Sequence, residues 1–244
     1  MSRASRATVL RVLRQLRHDP RTVAVLLVMP PLLLALMKWV FEGQPGVFQR
    51  IGAPLLGIFP LTSMFLVTSI AMLRERVSGT LERLMTMPIA RLDLLVGYGI
   101  AFGIAAAIQA VVTSLVAFGP LGLDVQGSVW AVLGLAVLNA VLGTALGLFV
   151  SAFATTEFQA VQFMPVVLMP QFLLCGLFAP RDHMARALSV LSDYMPLTYA
   201  YDALHRVTVG ESFGGHMVFD LAVLTGVMVA AMMLGAATLP RQTP

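Results

Sequence analysis

Arg74-Glu75-Arg76-Val77-Ser78-Gly79-Thr80-Leu81-Glu82-Arg83-Leu84-Met85-Thr86-Met87-Pro88 lies between two long apolar runs. No bilayer core accepts such a cluster, because each arginine at mid-membrane costs about 2.5–3.5 kcal/mol on insertion scales. The stretch belongs in water or at a membrane surface. It also reads as a short helix. Ser78 and Thr80 are good N-caps, and Glu82 suits the positive first turn. Leu81, Leu84 and Met85 fall at i, i+3, i+4 and make one apolar face. Pro88 ends it. A two-turn helix with an apolar face, hung between two spans, predicts a peg that fits a groove on another protein.

Working outward, the 244 residues are 58% hydrophobic and 11% charged, against about 45–50% and about 25% in soluble domains. Runs of about 20 apolar residues are long enough to cross a bilayer as helices. The ten-residue alternation of a membrane barrel is missing. The expectation is an all-α membrane protein of six transmembrane helices, at residues 22–41, 52–73, 94–118, 129–153, 159–178 and 218–238, in one domain over 22–238. The net charge is +4, and nearly all the positive charge is arginine, with Lys38 the only lysine. In a membrane chain that excess points to orientation and anionic lipid, not nucleic acid. The single cysteine, Cys175, excludes an internal disulfide and CxxC chemistry.

Residues 1–21 carry Arg3, Arg6, Arg11, Arg14, Arg17 and Arg21, with Val9, Val12, Leu13 and Leu16 on one side. This predicts a basic amphipathic helix on the inner membrane face. No cleavage site ends it, so the first span is expected to stay. Pro30-Pro31 is expected to interrupt span one. Span two carries Thr62 and Thr68, whose hydroxyls either repair proline-broken backbone bonds or line a polar path. Gly99/Gly103 and Gly143/Gly147 each give the G-x-x-x-G spacing that permits close helix packing. Gln162, Pro165, Pro170 and Gln171 lie in span five, where the prolines are expected to bend or break the helix. Between spans five and six, 182–192 and 197–208 read as two short interfacial or re-entrant helices. Even-numbered crossings put the N-terminus, the 74–93 link, the 154–158 turn and the tail 239–244 on one side, with eleven arginines. The other side holds Arg50, Arg181, Arg186 and Arg206, with Lys38 at its border. The positive-inside rule makes the first side cytoplasmic.

Several enzyme classes fall away. A Walker A motif needs Gly-Lys, and the only lysine follows Met37, so no ATPase motif is present. His18, His183, His205 and His216 form no H-E-x-x-H pattern, and no G-x-S-x-G elbow appears. Intramembrane charges, the mark of ion-coupled carriers, are nearly lacking. Asp220, at the rim of span six, reads as an interfacial helix start or as a coupling group. The chain has polar notches but no source of energy, which must enter from outside through the cytosolic peg.

Three stretches carry a family resemblance. Arg74-Glu75-Arg76 through Gly79-Thr80-Leu81-Glu82 to Pro88 resembles the E-R-E-x-G-T-L-E-x-L-x-x-x-P segment of the type-2 ABC exporter permeases, which include drug-resistance, lipid and polysaccharide exporters. Cys175-Gly176-Leu177-Phe178-Ala179-Pro180 resembles their S-G-x-x-x-P segment. Pro196-Leu197-Thr198-Tyr199 to Ala203-Leu204 resembles their N-P-L-T-Y…E-A-L-R segment. Here Val77-Ser78 adds one residue before Gly79, Met195 stands for the usual Asn, and Arg206 follows His205.

The resemblance implies a permease subunit, not itself an enzyme, in the bacterial inner membrane with both termini cytoplasmic. It implies a coupling helix docked on a nucleotide-binding subunit through Glu75, Arg76, Gly79, Thr80, Leu81, Glu82, Leu84 and Met85. Glu75 and Glu82 read as docking contacts or as caps and solvated charges. A second permease, identical or homologous, would face this one above two copies of the ATPase subunit. ATP and magnesium would sit on that partner, with no cofactor in this chain. Spans two and five would border the path, through Thr62, Thr68, Gln162, Pro165, Pro170 and Gln171. Spans rich in hydroxyls and amides but poor in charge favour a hydrophobic drug-like or lipid-like cargo moved outward. The alternative is a membrane-embedded lipid-modifying enzyme or its scaffold subunit, which calls for a D-x-x-D-like acid cluster at a span end. An import permease of the same superfamily would call for a different cytosolic motif.

Overall fold

A computed structural model describes residues 3–80, 83, 91–211 and 213–238. Every regular element among them is helical: α1 (Arg3–His18), α2 (Pro20–Val40), α3 (Pro45–Val77), α4 (Arg91–Phe118), α5 (Val129–Val150), α6 (Glu157–Leu174), α7 (Arg186–Ser192), α8 (Pro196–Thr208) and α9 (Gly215–Thr238). Short 3₁₀ turns at Ser151–Phe153 and Arg181–His183 complete the described helical elements.

Five described helices, α2, α3, α4, α5 with its 3₁₀ turn, and α9, are long and apolar enough to cross a membrane. The expected fifth span is α6, whose 18 residues reach only about 27 Å at 1.5 Å per residue. It is not among those five helices.

Boundaries follow local chemistry. The Asp19 side chain caps α2 by accepting from the Thr22 N–H at 3.1 Å, and Pro20 fills the first helical position, where a missing N–H costs nothing. A proline at the first helical position, without a side-chain cap, starts α3 at Pro45, seven residues ahead of the expected start at 52. Prolines 30 and 31 do not interrupt α2, and Pro165 and Pro170 do not break α6. Helices of membrane proteins tolerate such prolines because neighbouring groups re-satisfy the freed carbonyls.

Lipid is as apolar as leucine, so helices in a bilayer associate through close packing rather than through apolar burial. The α3–α5 pair shows this. A Cβ on Gly143 would overlap the Leu61 carbonyl oxygen, and one on Gly147 would overlap that of Phe65. The expected G-x-x-x-G contact is therefore made by 143/147. Gly99 and Gly103 meet only the side chains of Met232 and Val141. A Gln109–Ser63 hydrogen bond joins α4 to α3.

The connections gather at two ends. At one, Gln49 Nε2 donates to Gly122 O at 3.0 Å, Asp124 N donates to Gln49 Oε1 at 2.7 Å, and Gln126 N donates to Thr208 O at 3.0 Å. There α8 packs on α3, α5 and α9 through buried Leu197, Ala200, Leu204 and Val207. The other end holds α1, the close of α3, the start of α4 and the 151–157 turn.

Candidate functional site

The organising stretch differs from its expected form. Arg74, Glu75, Arg76 and Val77 are the last turn of α3, not a link ahead of a new helix. Nothing between Met72 and Val77 breaks the helix, so its hydrogen bonds run on. The stop comes at Gly79, whose φ of 70° is costly for any residue with a Cβ. Ser78 is the C-cap of α3 rather than an N-cap. Its N–H donates to Arg74 O at 2.9 Å, and the Gly79 N–H donates to Arg76 O at 3.1 Å. A new turn begins at once, with the Arg83 N–H donating to Gly79 O at 3.1 Å. Leu81, Glu82, Leu84, Met85 and Pro88 lie outside the described residues.

The three charged residues closing α3 each reach a different element. Arg74 Nε and Nη2 donate to the two Glu157 carboxylate oxygens at 2.8 and 3.0 Å, tying α3 to α6. Arg76 Nη1 donates to Ser151 O at 2.6 Å, tying α3 to the turn after α5. Glu75 is buried and accepts from Arg11 Nη1 at 3.0 Å and Gln15 Nε2 at 2.9 Å, tying α3 to α1. The Arg11 guanidinium also donates to Tyr98 Oη and lies 5.5 Å from the Tyr98 ring centroid. Glu75 thus faces α1, with 7% of its surface exposed.

The N-terminal helix is amphipathic as expected, but its apolar stripe rests on protein. Val9 and Val12 are buried with Leu94, Leu95 and Tyr98, and Thr8 lies against Gly97. Ser5 Oγ donates to Asp93 O at 3.0 Å. Sequence reasoning did not find Arg11, Gln15, Tyr98, Ser151 or Glu157 as partners. Arg11 and Glu75 are 64 residues apart, and nothing in one sequence separates Arg11 from Arg14 or Arg17.

The expected path residues divide. Thr62 and Thr68 hydroxyls return to carbonyls of their own helix, at Phe59 and Met64, which is backbone repair, and Thr68 is buried. Gln171 is buried; it donates to Val167 O at 2.8 Å and accepts from the Leu197 N–H at 3.3 Å, bracing α8. Gln162, Pro165 and Pro170 are exposed on α6, on the side that also exposes Phe158, Val166, Met169 and Leu173. Among the described residues no three acids, histidines or cysteines gather as a metal site.

The chain is similar in sequence to several transport proteins. YbhR, a probable multidrug ABC transporter permease of Escherichia coli K12, is 25% identical over 158 residues, 65% of this chain and 43% of that protein. The inner membrane transport permease YhhJ of the same strain is 29% identical over 135 residues, 54% of this chain and 36% of YhhJ. ABC transporter G family member 20 of Dictyostelium discoideum is 24% identical over 141 residues, 58% of this chain and 19% of that protein. The matched part of this chain spans less than half the length of each relative. The family model described as ABC-2 type transporter matches residues 4–208, taking in α1, the clamped end of α3 and all of α8. The chain is a multi-pass membrane protein that belongs to the ABC-2 type transporter family.

Proposed function

We propose that the chain is the membrane subunit of an ATP-binding-cassette exporter that moves a hydrophobic drug-like or lipid-like cargo outward. The multidrug designation of YbhR supports that cargo class. ATP and magnesium belong to two copies of a separate nucleotide-binding subunit, and a second permease, identical or homologous, completes the pathway. The segment after Gly79 is the peg that receives mechanical work. Thr80, Leu81, Glu82, Leu84 and Met85 dock it, with Gly79 as the pivot. Glu75 and Arg76 pass the motion on.

One observation carries this reading: the charged close of α3 is fastened to α1, to α6 and to the end of α5 within three consecutive residues. A push at the peg enters a 33-residue helix and reaches three others together. The exposed face of α6, with Gln162, Pro165 and Pro170, then borders the path between permeases. Thr62, Thr68 and Gln171 shape the walls behind it. In this reading α6 with residues 175–178 is the sixth crossing, and the peg, the N-terminus and the C-terminus face the cytoplasm of a bacterial inner membrane.

The test is co-purification with a Walker-type ATPase. Changing Leu81, Leu84 and Met85 together to Asp is expected to abolish co-purification while the chain still inserts. Undiminished binding by that variant refutes the peg.

A further inference from the structure

A cavity of about 490 Å³ opens at the corner where α1 turns into α2 and both meet α3 and α4. Its size lies within the range of about 300–1,000 Å³ usual for ligand sites. Its lining is graded along one axis. Where α2 starts and α3 ends it is polar, with Gln15, Asp19, Arg21, Arg74 and Glu75. Further along it is walled by Val25, Leu66, Val67, Ile70 and Phe102. A polar mouth above an apolar slot is the shape of an amphiphile.

The charges at the mouth are unevenly spent. Asp19 accepts from the Thr22 N–H at 3.1 Å and hydroxyl at 2.6 Å. Glu75 is held by Arg11 and Gln15, and Arg74 by Glu157. The Arg21 guanidinium makes no ion pair among the described residues, and neither do Arg14 and Arg17 on the adjoining helix. Asp19 is the one acid at this corner without an ion pair among the described residues, so the unpaired charge around it is three arginines against one carboxylate. The slot also continues onto bilayer-facing surface, since α2, a helix apolar enough to cross a membrane, exposes Val25, Val28, Met29 and Leu32 beside it.

We propose that this cavity binds one anionic phospholipid, its phosphate at Arg21 and one acyl chain between α2 and α3. The lipid fills the space behind the Glu75–Arg11 contact and braces the α1–α2 corner. The site is distinct from the exposed face of α6.

Native mass spectrometry of the delipidated full-length chain, titrated with phosphatidylglycerol or phosphatidylcholine, tests this. Phosphatidylglycerol is expected to be retained about fivefold more tightly, the effect of one arginine near an anionic headgroup. Arg21→Gln is expected to erase that preference and Arg21→Lys to keep it. Val25→Trp, at a position 59% exposed, is expected to fill the slot and lower retention of both lipids. Equal retention of the two lipids by the unaltered chain overturns the proposal. So does an unchanged preference in Arg21→Gln, full retention in Val25→Trp, or displacement of the lipid by inorganic phosphate alone.

Discussion

At the residue scale, the contacts at the close of α3 differ greatly in worth. Arg74 and Glu157 are 58% and 54% exposed, and such surface pairs contribute about 0–1 kcal/mol. The Glu75 side chain is 9% exposed and that of Arg11 29%, so removing the carboxylate leaves a partly buried cation without its counter-charge. Glu75→Ala is expected to lower stability by about 3 kcal/mol, the low end for stripping a buried charge of its partner because Arg11 is partly hydrated. Glu157→Ala is expected to change it by under about 1 kcal/mol. Thermal unfolding of the purified chain in detergent compares the two, and equal effects contradict the ranking. At the opposite end, burial first and then the Arg50 charge hold the His205 imidazole below its ordinary value of 6.5. The unfolded chain then takes up the proton before the folded one does, so this stabilisation is complete above pH 6.5 and fades as pH falls through it. A melting profile across that range is expected to flatten in His205→Gln.

At the element scale, α3 is the axis of the molecule. It packs on α2, α4, α5, α6 and α8 and carries three anchors at its close. Its contact with α5 depends on two glycines that bring backbones together. Gly143→Val or Gly147→Val is expected to force the helices apart and to cost about 1–3 kcal/mol, as overpacking does. Gly103→Val meets only the tip of Val141 at 3.9 Å and is expected to be tolerated. Folded yield after detergent extraction separates them. If Gly103→Val is the more damaging, the α3–α5 seam is not the close one.

At the scale of the whole molecule, the connections sort into two groups, and the arginine-rich group includes α1 and the close of α3. Cys175 is the only cysteine and is buried, so a cysteine placed at Thr80 or Arg83 offers a clean labelling site. Membrane-impermeant maleimide applied to intact cells is expected to leave both unmodified and to modify a cysteine at Asp124. The reverse pattern overturns the orientation and the energy-coupling proposal together.

Much of this architecture was legible from composition and periodicity. Long apolar runs announce bilayer-crossing helices because no other backbone arrangement of such runs satisfies its polar groups in lipid. The short helices before α9 were equally readable, since Pro196 and the alternation of apolar with charged side chains are local signals. The same holds for the glycine pair at 143 and 147, although only packing showed that it, and not 99/103, forms a backbone seam. What one sequence could not disclose were the partners of Arg74, Glu75 and Arg76. Their choice is made across separations of 60 to 83 residues, where charge type is visible but distance is not. The sequence by itself determined that a charged, helix-forming stretch must sit outside the bilayer between two spans. Only the tertiary structure decided that its first half is the rigid end of α3, because three neighbouring elements supply the counter-charges and carbonyl that hold it there.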